Sequence, residues 1–289
     1  MAIGELLIKK RVSRSRAGDI VLIAFLILIG VVMALPMVYA ISTSLKPNSE
    51  LWIFPPRFFA NHPTWKNYRD LFTLMSNSWA PFSRYVFNTL LITVVGTLGH
   101  IIIAAMCAYP IAMYRFPGSN GFFVLVRTAL MFSGTVTAIP GFIVVSRLHL
   151  LDNYAAVILP ALSMPLGLFL MKQFMEQTVH PAVLESASMD GAGEICKFFH
   201  IVMPMVRPAW LTLMIFSVQT LWNTGSTPYI YSEQLKTLPY AMGQITAAGI
   251  ARTGVGAAIS VIMMLVPLTV FIISQSNIIE TMSSSGMKD

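Results

Sequence analysis

The chain has 289 residues, of which 56% are hydrophobic and 11% charged. Soluble domains carry about a quarter charged residues, so this balance excludes a disordered chain, a disulfide scaffold and most soluble enzymes of this size. The net charge of +7 at pH 7 reads, in a chain this apolar, as a topology signal rather than a nucleic-acid surface.

The first nineteen residues hold Lys9, Lys10, Arg11, Arg14 and Arg16 against Glu5 and Asp19. The positive-inside rule makes 1–19 a cytoplasmic segment. Six stretches then lack any Asp, Glu, Lys or Arg: 20–45, 85–114, 128–146, 153–171, 208–232 and 253–279. A helix of about 20 apolar residues spans a bilayer. The run Val21–Ile29 does not alternate, as a barrel strand must. The first stretch is too long for a secretory leader. The expectation is an all-α integral membrane protein with six transmembrane helices. Its transmembrane domain covers 20–279, and the tail 280–289 returns to the cytoplasm.

With the N-terminus inside, the loops 46–84, 147–152 and 233–252 face outward and 115–127 and 172–207 face inward. The outer loop 46–84 carries Trp52, Phe54, Phe58, Phe59, Trp65, Tyr68 and Trp79. Such rings settle at the membrane boundary, so the loop is either an anchored interfacial lid or a docking surface for an external partner. In the inner loop, His180-Pro181 opens a helix, since proline suits the first helical position. Asp190-Gly191 stops it, and a second short helix runs from Gly193 to Val202. Pro204 and Pro208 then lead into the fifth span.

Prolines and glycines at Pro36, Pro110, Pro140-Gly141, Pro160, Pro165, Pro228 and Pro267 punctuate the spans, as in the broken helices of transporters. Ala104/Ala108/Ala112 and Gly254/Ala258 have the spacing that permits close helix packing. Cys107 lies mid-span and Cys196 in the inner loop, too far apart to pair. His100 is the one histidine inside a span, a helix-packing hydrogen-bonder or a proton relay. No nucleotide loop, hydrolase elbow, zinc motif or buried span carboxylate is present. Any transport would therefore draw its energy from another protein.

The run Glu185-Ser186-Ala187-Ser188-Met189-Asp190-Gly191-Ala192, followed by Phe198, Ile201, Pro204 and Pro208, closely resembles the EAA loop of ABC importer permeases. The family has alanine where Ser186 stands. Ser44-Leu45-Lys46-Pro47, Phe54-Pro55-Pro56, Trp65-Lys66-Asn67-Tyr68, Leu221-Trp222-Asn223 and the tail Ser284–Asp289 resemble the carbohydrate branch, similar to the second maltose-permease subunit.

The resemblance implies a non-catalytic permease subunit that docks on a cytoplasmic ATPase through Glu185, Ser186, Ala187, Asp190, Gly191, Ala192, Phe198 and Pro204. An amphipathic helix lying on the membrane surface is the plainer alternative for this loop. Gly286 and Lys288 reach between the ATPase subunits, or belong to a frayed end. Trp222 and Asn223, mid-span, either line a sugar pathway or bond a neighbouring helix, and Tyr229 and Tyr231 are gate residues or boundary anchors. The implied partners are a second homologous permease, two cytoplasmic ATPase subunits that bind ATP and Mg, an external solute-binding protein, the carbohydrate and lipid. No cofactor or metal is implied in this chain. The alternatives are a permease for a glycerol-phosphate ester or peptide, and an integral membrane enzyme or signalling subunit.

Overall fold

The computed structural model describes residues 16–76, 80–225, 227–247, 249 and 252–285, and among these every regular element is helical. Helix α1 is Arg16–Ser44 and α2 is the single turn Asn48–Leu51. Then follow α3 Lys66–Ser76, α4 Phe82–Met113, α5 Ser119–Ala129 and α6 Gly134–Arg147. Next are α7 Ala155–Leu162, α8 Pro165–Thr178 and α9 Pro181–Met189. The chain continues through α10 Glu194–Met205, α11 Arg207–Trp222, α12 Leu238–Ala247 and α13 Thr253–Ser285.

Among the described residues four segments are long and apolar enough to cross a membrane: Gly18–Ser44, Phe82–Met113, Ala155–Thr178 and Thr253–Gln275. Two further pairs pass only together: α5 with α6, bent by 113°, and α10 with α11, bent by 79°. The third apolar stretch is thus not one helix over 128–146. Only 128–129 of it fall in α5, which begins at Ser119 inside the expected inner loop 115–127; the chain turns at 130–133 and α6 takes the remainder. The fifth helix ends at Trp222, ten residues short of the charge-free stretch 208–232. Absence of charge marks an apolar environment, not a helix boundary.

The prolines also fall differently. Pro36, Pro110, Pro140, Pro160 and Pro267 run inside helices, whereas the two sharp bends lie at 130–133 and at Val206. Pro165 and Pro208 stand in first turns, where the missing N–H has no helical partner to lose.

Helix α4 is the hub, packing most extensively against α8 and α11. The close approach rests on small residues. A Cβ on Gly96 would lie 2.6 Å from Leu221, and one on Gly99 2.6 Å from Leu162. Ala104 and Ala108 are buried on the same helix. His100 is buried against Gly167 of α8, with its Nδ1 3.0 Å from Ser217 Oγ of α11, which is the helix-packing role. By contrast α1 leaves its apolar side chains exposed from Ile20 to Ile41. In water that surface would be untenable, so it faces lipid or another chain.

Candidate functional site

The helix–turn–helix of the 172–207 loop is built by local signals. His180 is the N-cap and Pro181 the first residue of α9. At its other end Gly191 has φ +81°, the left-handed conformation. Gly191 N donates to Ser188 O at 3.1 Å and Ala192 N to Ala187 O at 2.9 Å. This pair of bonds is a Schellman turn, which places small apolar residues at both Ala187 and Ala192. The spacing of alanine, glycine and alanine is therefore what a helix needs to end and reverse here.

Burial divides the motif. Leu184 of α9 and Phe198 of α10 belong to one core cluster with Ala105, Tyr109, Met175 and Val202, and Ala187 of α9 is buried as well. Phe198 thus holds the loop on the bundle, and the buried Ala187 is not part of its outer surface. Glu185, Ser186, Asp190, Gly191 and Pro204 are exposed and Ala192 is half-buried. Beside them Met189 is 84% and Ile195 77% exposed, the two apolar side chains of the tip. No hydrogen bond or ion pair among the described residues occupies the Glu185 carboxylate. A cleft of about 440 Å³ lies behind α9, lined by Tyr114, Glu176, Leu184, Glu185, Glu194 and Lys197 among others.

Glu194, which opens α10, carries no motif signal in the sequence. Its carboxylate accepts hydrogen bonds from Lys197 Nζ at 2.7 Å, Tyr114 Oη at 2.6 Å and Tyr109 Oη at 3.0 Å. The Lys197 ammonium first, then the Tyr114 phenol, hold its pKa down to about 2. A negative charge also suits the first turn of a helix.

At the opposite end, Trp222 is 3% exposed and its indole donates to Met263 O of α13 at 2.9 Å. It is the last residue of α11, not mid-span. Asn223 caps that helix, exposed, and its amide donates back to Gln219 O at 2.7 Å rather than to a neighbouring helix. Tyr229 stacks on Phe142 of α6, with ring centres 6.2 Å apart. Asp152, between α6 and α7, accepts from the backbone N–H groups of Tyr231 and Ser232 and from the Ser232 hydroxyl. These bonds tie the 147–152 and 229–232 loops together and pull the Asp152 carboxyl below its usual range, the Ser232 hydroxyl contributing most. A smaller cavity of about 290 Å³ lies beside them, lined by Thr227, Lys236, Thr237, Tyr240 and Gln244 among others.

The motifs at 44–47 and 65–68 meet in space. Asn67 Nδ2 donates to Ser44 O and to Lys46 O, each at 2.8 Å, and Ser44 Oγ lies 2.9 Å from Tyr68 Oη. They form a structural junction of α1, α3 and α13. Trp52, Phe54, Phe59 and Trp65 remain exposed on the loop between. Gly286 and Lys288, and Trp79, lie outside the described residues. Among the described residues no group of three His, Cys, Asp or Glu is placed to hold a metal ion.

No family model matches the chain. It is 30% identical over 226 residues to the polygalacturonan/rhamnogalacturonan transport system permease protein YtcP of Bacillus subtilis (strain 168), covering 75% of this chain and 73% of that protein. It is 28% identical over 271 residues to the arabinooligosaccharides transport system permease protein AraQ of the same organism, covering 93% and 95%. Its fold matches a chain in the crystal structure of a bacterial ABC transporter involved in import of the acidic polysaccharide alginate, with a TM-score of 0.75 at 20% identity over 91% of this chain and 98% of that one.

Proposed function

The chain belongs to the permease subunits of ABC transport systems, and we propose that it forms half of the pathway of an ATP-driven carbohydrate importer. It is a multi-pass membrane protein. In our reading the bent pair α5–α6 is one span and α11 is another, giving six, with α10 in the cytoplasmic loop and both termini in the cytoplasm. The observation that carries the coupling role is the tip of the helix–turn–helix. Glu185, Met189, Asp190 and Ile195 stand free of the chain's own core, while Leu184 and Phe198 anchor the turn behind them. A rigid, exposed wedge of this kind suits a groove on a cytoplasmic ATPase. Met189 and Ile195 supply apolar contact, and Glu185 offers an unoccupied carboxylate for a basic residue. A helix lying on the membrane surface would instead need one continuous apolar face, and here the turn divides it.

A second, homologous permease covers the apolar faces of α1 and the α5–α6 break. Two ATPase subunits bind ATP and Mg, and this chain does no bond chemistry. ATP binding draws the two loops together and opens the pathway outward, where a solute-binding protein delivers the carbohydrate. Hydrolysis resets it. In our reading Asn223, capping α11, and Tyr229, in the loop beyond it, meet the sugar. Trp222 sets the position of Asn223 from behind. The tail residues Gly286 and Lys288 contact the ATPase pair.

The test is co-purification from membranes in mild detergent with mass identification of the bound subunits. The wild-type chain should bring a second permease and an ATPase. Met189→Asp with Ile195→Asp, both on the surface, should lose the ATPase and keep the second permease. Retention of the ATPase by that variant would overturn the docking surface.

A further inference from the structure

Two phenols on α4 and one carboxylate on α10 make a directional link between the bundle and the exposed wedge. Tyr109 lies one turn before the end of α4 and Tyr114 caps that helix. Both donate to the same Glu194 oxygen, and Lys197 Nζ takes the other. The two rings meet edge to face at 5.8 Å, and Tyr109 also packs on Phe198 at 5.6 Å. Tyr109 is 7% exposed and the Lys197 side chain 8%.

Leu184, Phe198 and Val202 of the 181–205 segment share an apolar core cluster with Ile101, Ala105 and Tyr109 of α4. Apolar contact is non-directional and lets helices slide. Among the described residues, every hydrogen bond from 181–205 to α4 or its cap ends on Glu194. Immediately beyond it the chain is wound as a π-turn, Lys197–Val202, and then bends by 79° into α11. Such π-turns are rare inside helices and recur at functional sites. The segment between the link and α11 is therefore irregular, whereas the link holds α10 to α4, the helix on which α8 and α11 pack.

We propose that Glu194, with Tyr109 and Tyr114, is the joint through which displacement of the 181–192 wedge is passed to α4 and so to the translocation pathway. Glu194 is a positioning residue: it touches neither the ATPase nor the sugar. The inference rests on the coupling role of the loop.

The joint is tested in the complete transporter in proteoliposomes. Three quantities are read together: ATPase recovered with the permeases, ATP hydrolysed, and sugar taken up per ATP. Glu194→Ala and the double variant Tyr109→Phe/Tyr114→Phe should recover the ATPase at wild-type levels and hydrolyse ATP. Their uptake per ATP should fall by about tenfold, within the ordinary range of a coupling between two sites. Glu194→Gln keeps the size and an acceptor, so it should regain part of the uptake, and it carries the test if the alanine variant fails to assemble. Unchanged uptake per ATP would overturn the joint. So would uptake that falls only in proportion to the complex recovered, since that marks a folding role. Failure of the coupling reading shows separately, as absence of an ATPase from the wild-type complex, and would remove the joint with it.

Discussion

The indole N–H of Trp222 donates to the backbone carbonyl of Met263, 2.9 Å away. The bond joins the last residue of α11 to the first third of α13. The ring sits in a core with Tyr85, Leu238 and Met242, so this tryptophan is a packing residue of the bundle. Trp222→Ala should cost about 3–5 kcal/mol, as buried tryptophans do. Trp222→Phe should cost about 1–3 kcal/mol, leaving the Met263 carbonyl without its donor. Thermal unfolding in detergent measures both. Full stability of the alanine variant with altered sugar selectivity would return Trp222 to the pathway.

Asn67 and Gly254 make a second contact that a double-mutant cycle can read. A Cβ on Gly254 would fall 2.5 Å from Asn67 Oδ1, and Asn67 cannot swing away without breaking its bonds to Ser44 and Lys46. Gly254→Ala and Asn67→Ala should each destabilise the chain by about 1–3 kcal/mol. The pair together should cost less than the two summed, because the clash is gone once Asn67 is removed. Strict additivity of the two unfolding shifts would place them apart.

The Glu194 joint has a defined pH range. Its carboxyl is held down to about 2 from the ordinary 4.5 by Lys197 and the two phenols. A depressed carboxylate stabilises the fold above its unfolded value and loses that contribution as pH falls through the folded one. The joint should therefore persist at pH 4. Infrared difference spectra against Glu194→Gln should show a carboxylate band there, and a protonated carboxyl band at pH 4 would refute the arrangement.

Gly191 at φ +81° carries the reversal of the wedge. Gly191→Ala should cost about 1–2 kcal/mol, the strain of a Cβ in the left-handed region. Gly191→Pro cannot adopt that angle and should disrupt the turn. Hydrogen exchange across 186–193 reads the difference. Equal protection in both variants would mean that the turn does not depend on this glycine.

The wedge was legible in the sequence because its signals are local: a proline at the first turn of α9, a glycine at its end, and alanines at the two positions the turn brings together. The apolar bundle was legible for the same reason, since absence of charge over long stretches has a single physical meaning. The break at 130–133 was not, because neither a charge nor a proline marks it. The shortening of α11 at Trp222 escaped because the loop that follows is as free of charge as the helix, although its Asn, Gly and Pro residues are turn formers. Glu194 was passed over because a carboxylate in an inner loop ordinarily points to water. Only the fold brings Tyr109 and Tyr114, some eighty residues earlier, onto it.

The central claim is that this chain carries a carbohydrate across a membrane at the expense of ATP. The most direct measurement is uptake of labelled oligosaccharides into proteoliposomes holding the co-purified complex and its binding protein. Uptake should require ATP and be abolished by Met189→Asp with Ile195→Asp. Uptake that proceeds without ATP, or that survives those two substitutions, would contradict that claim.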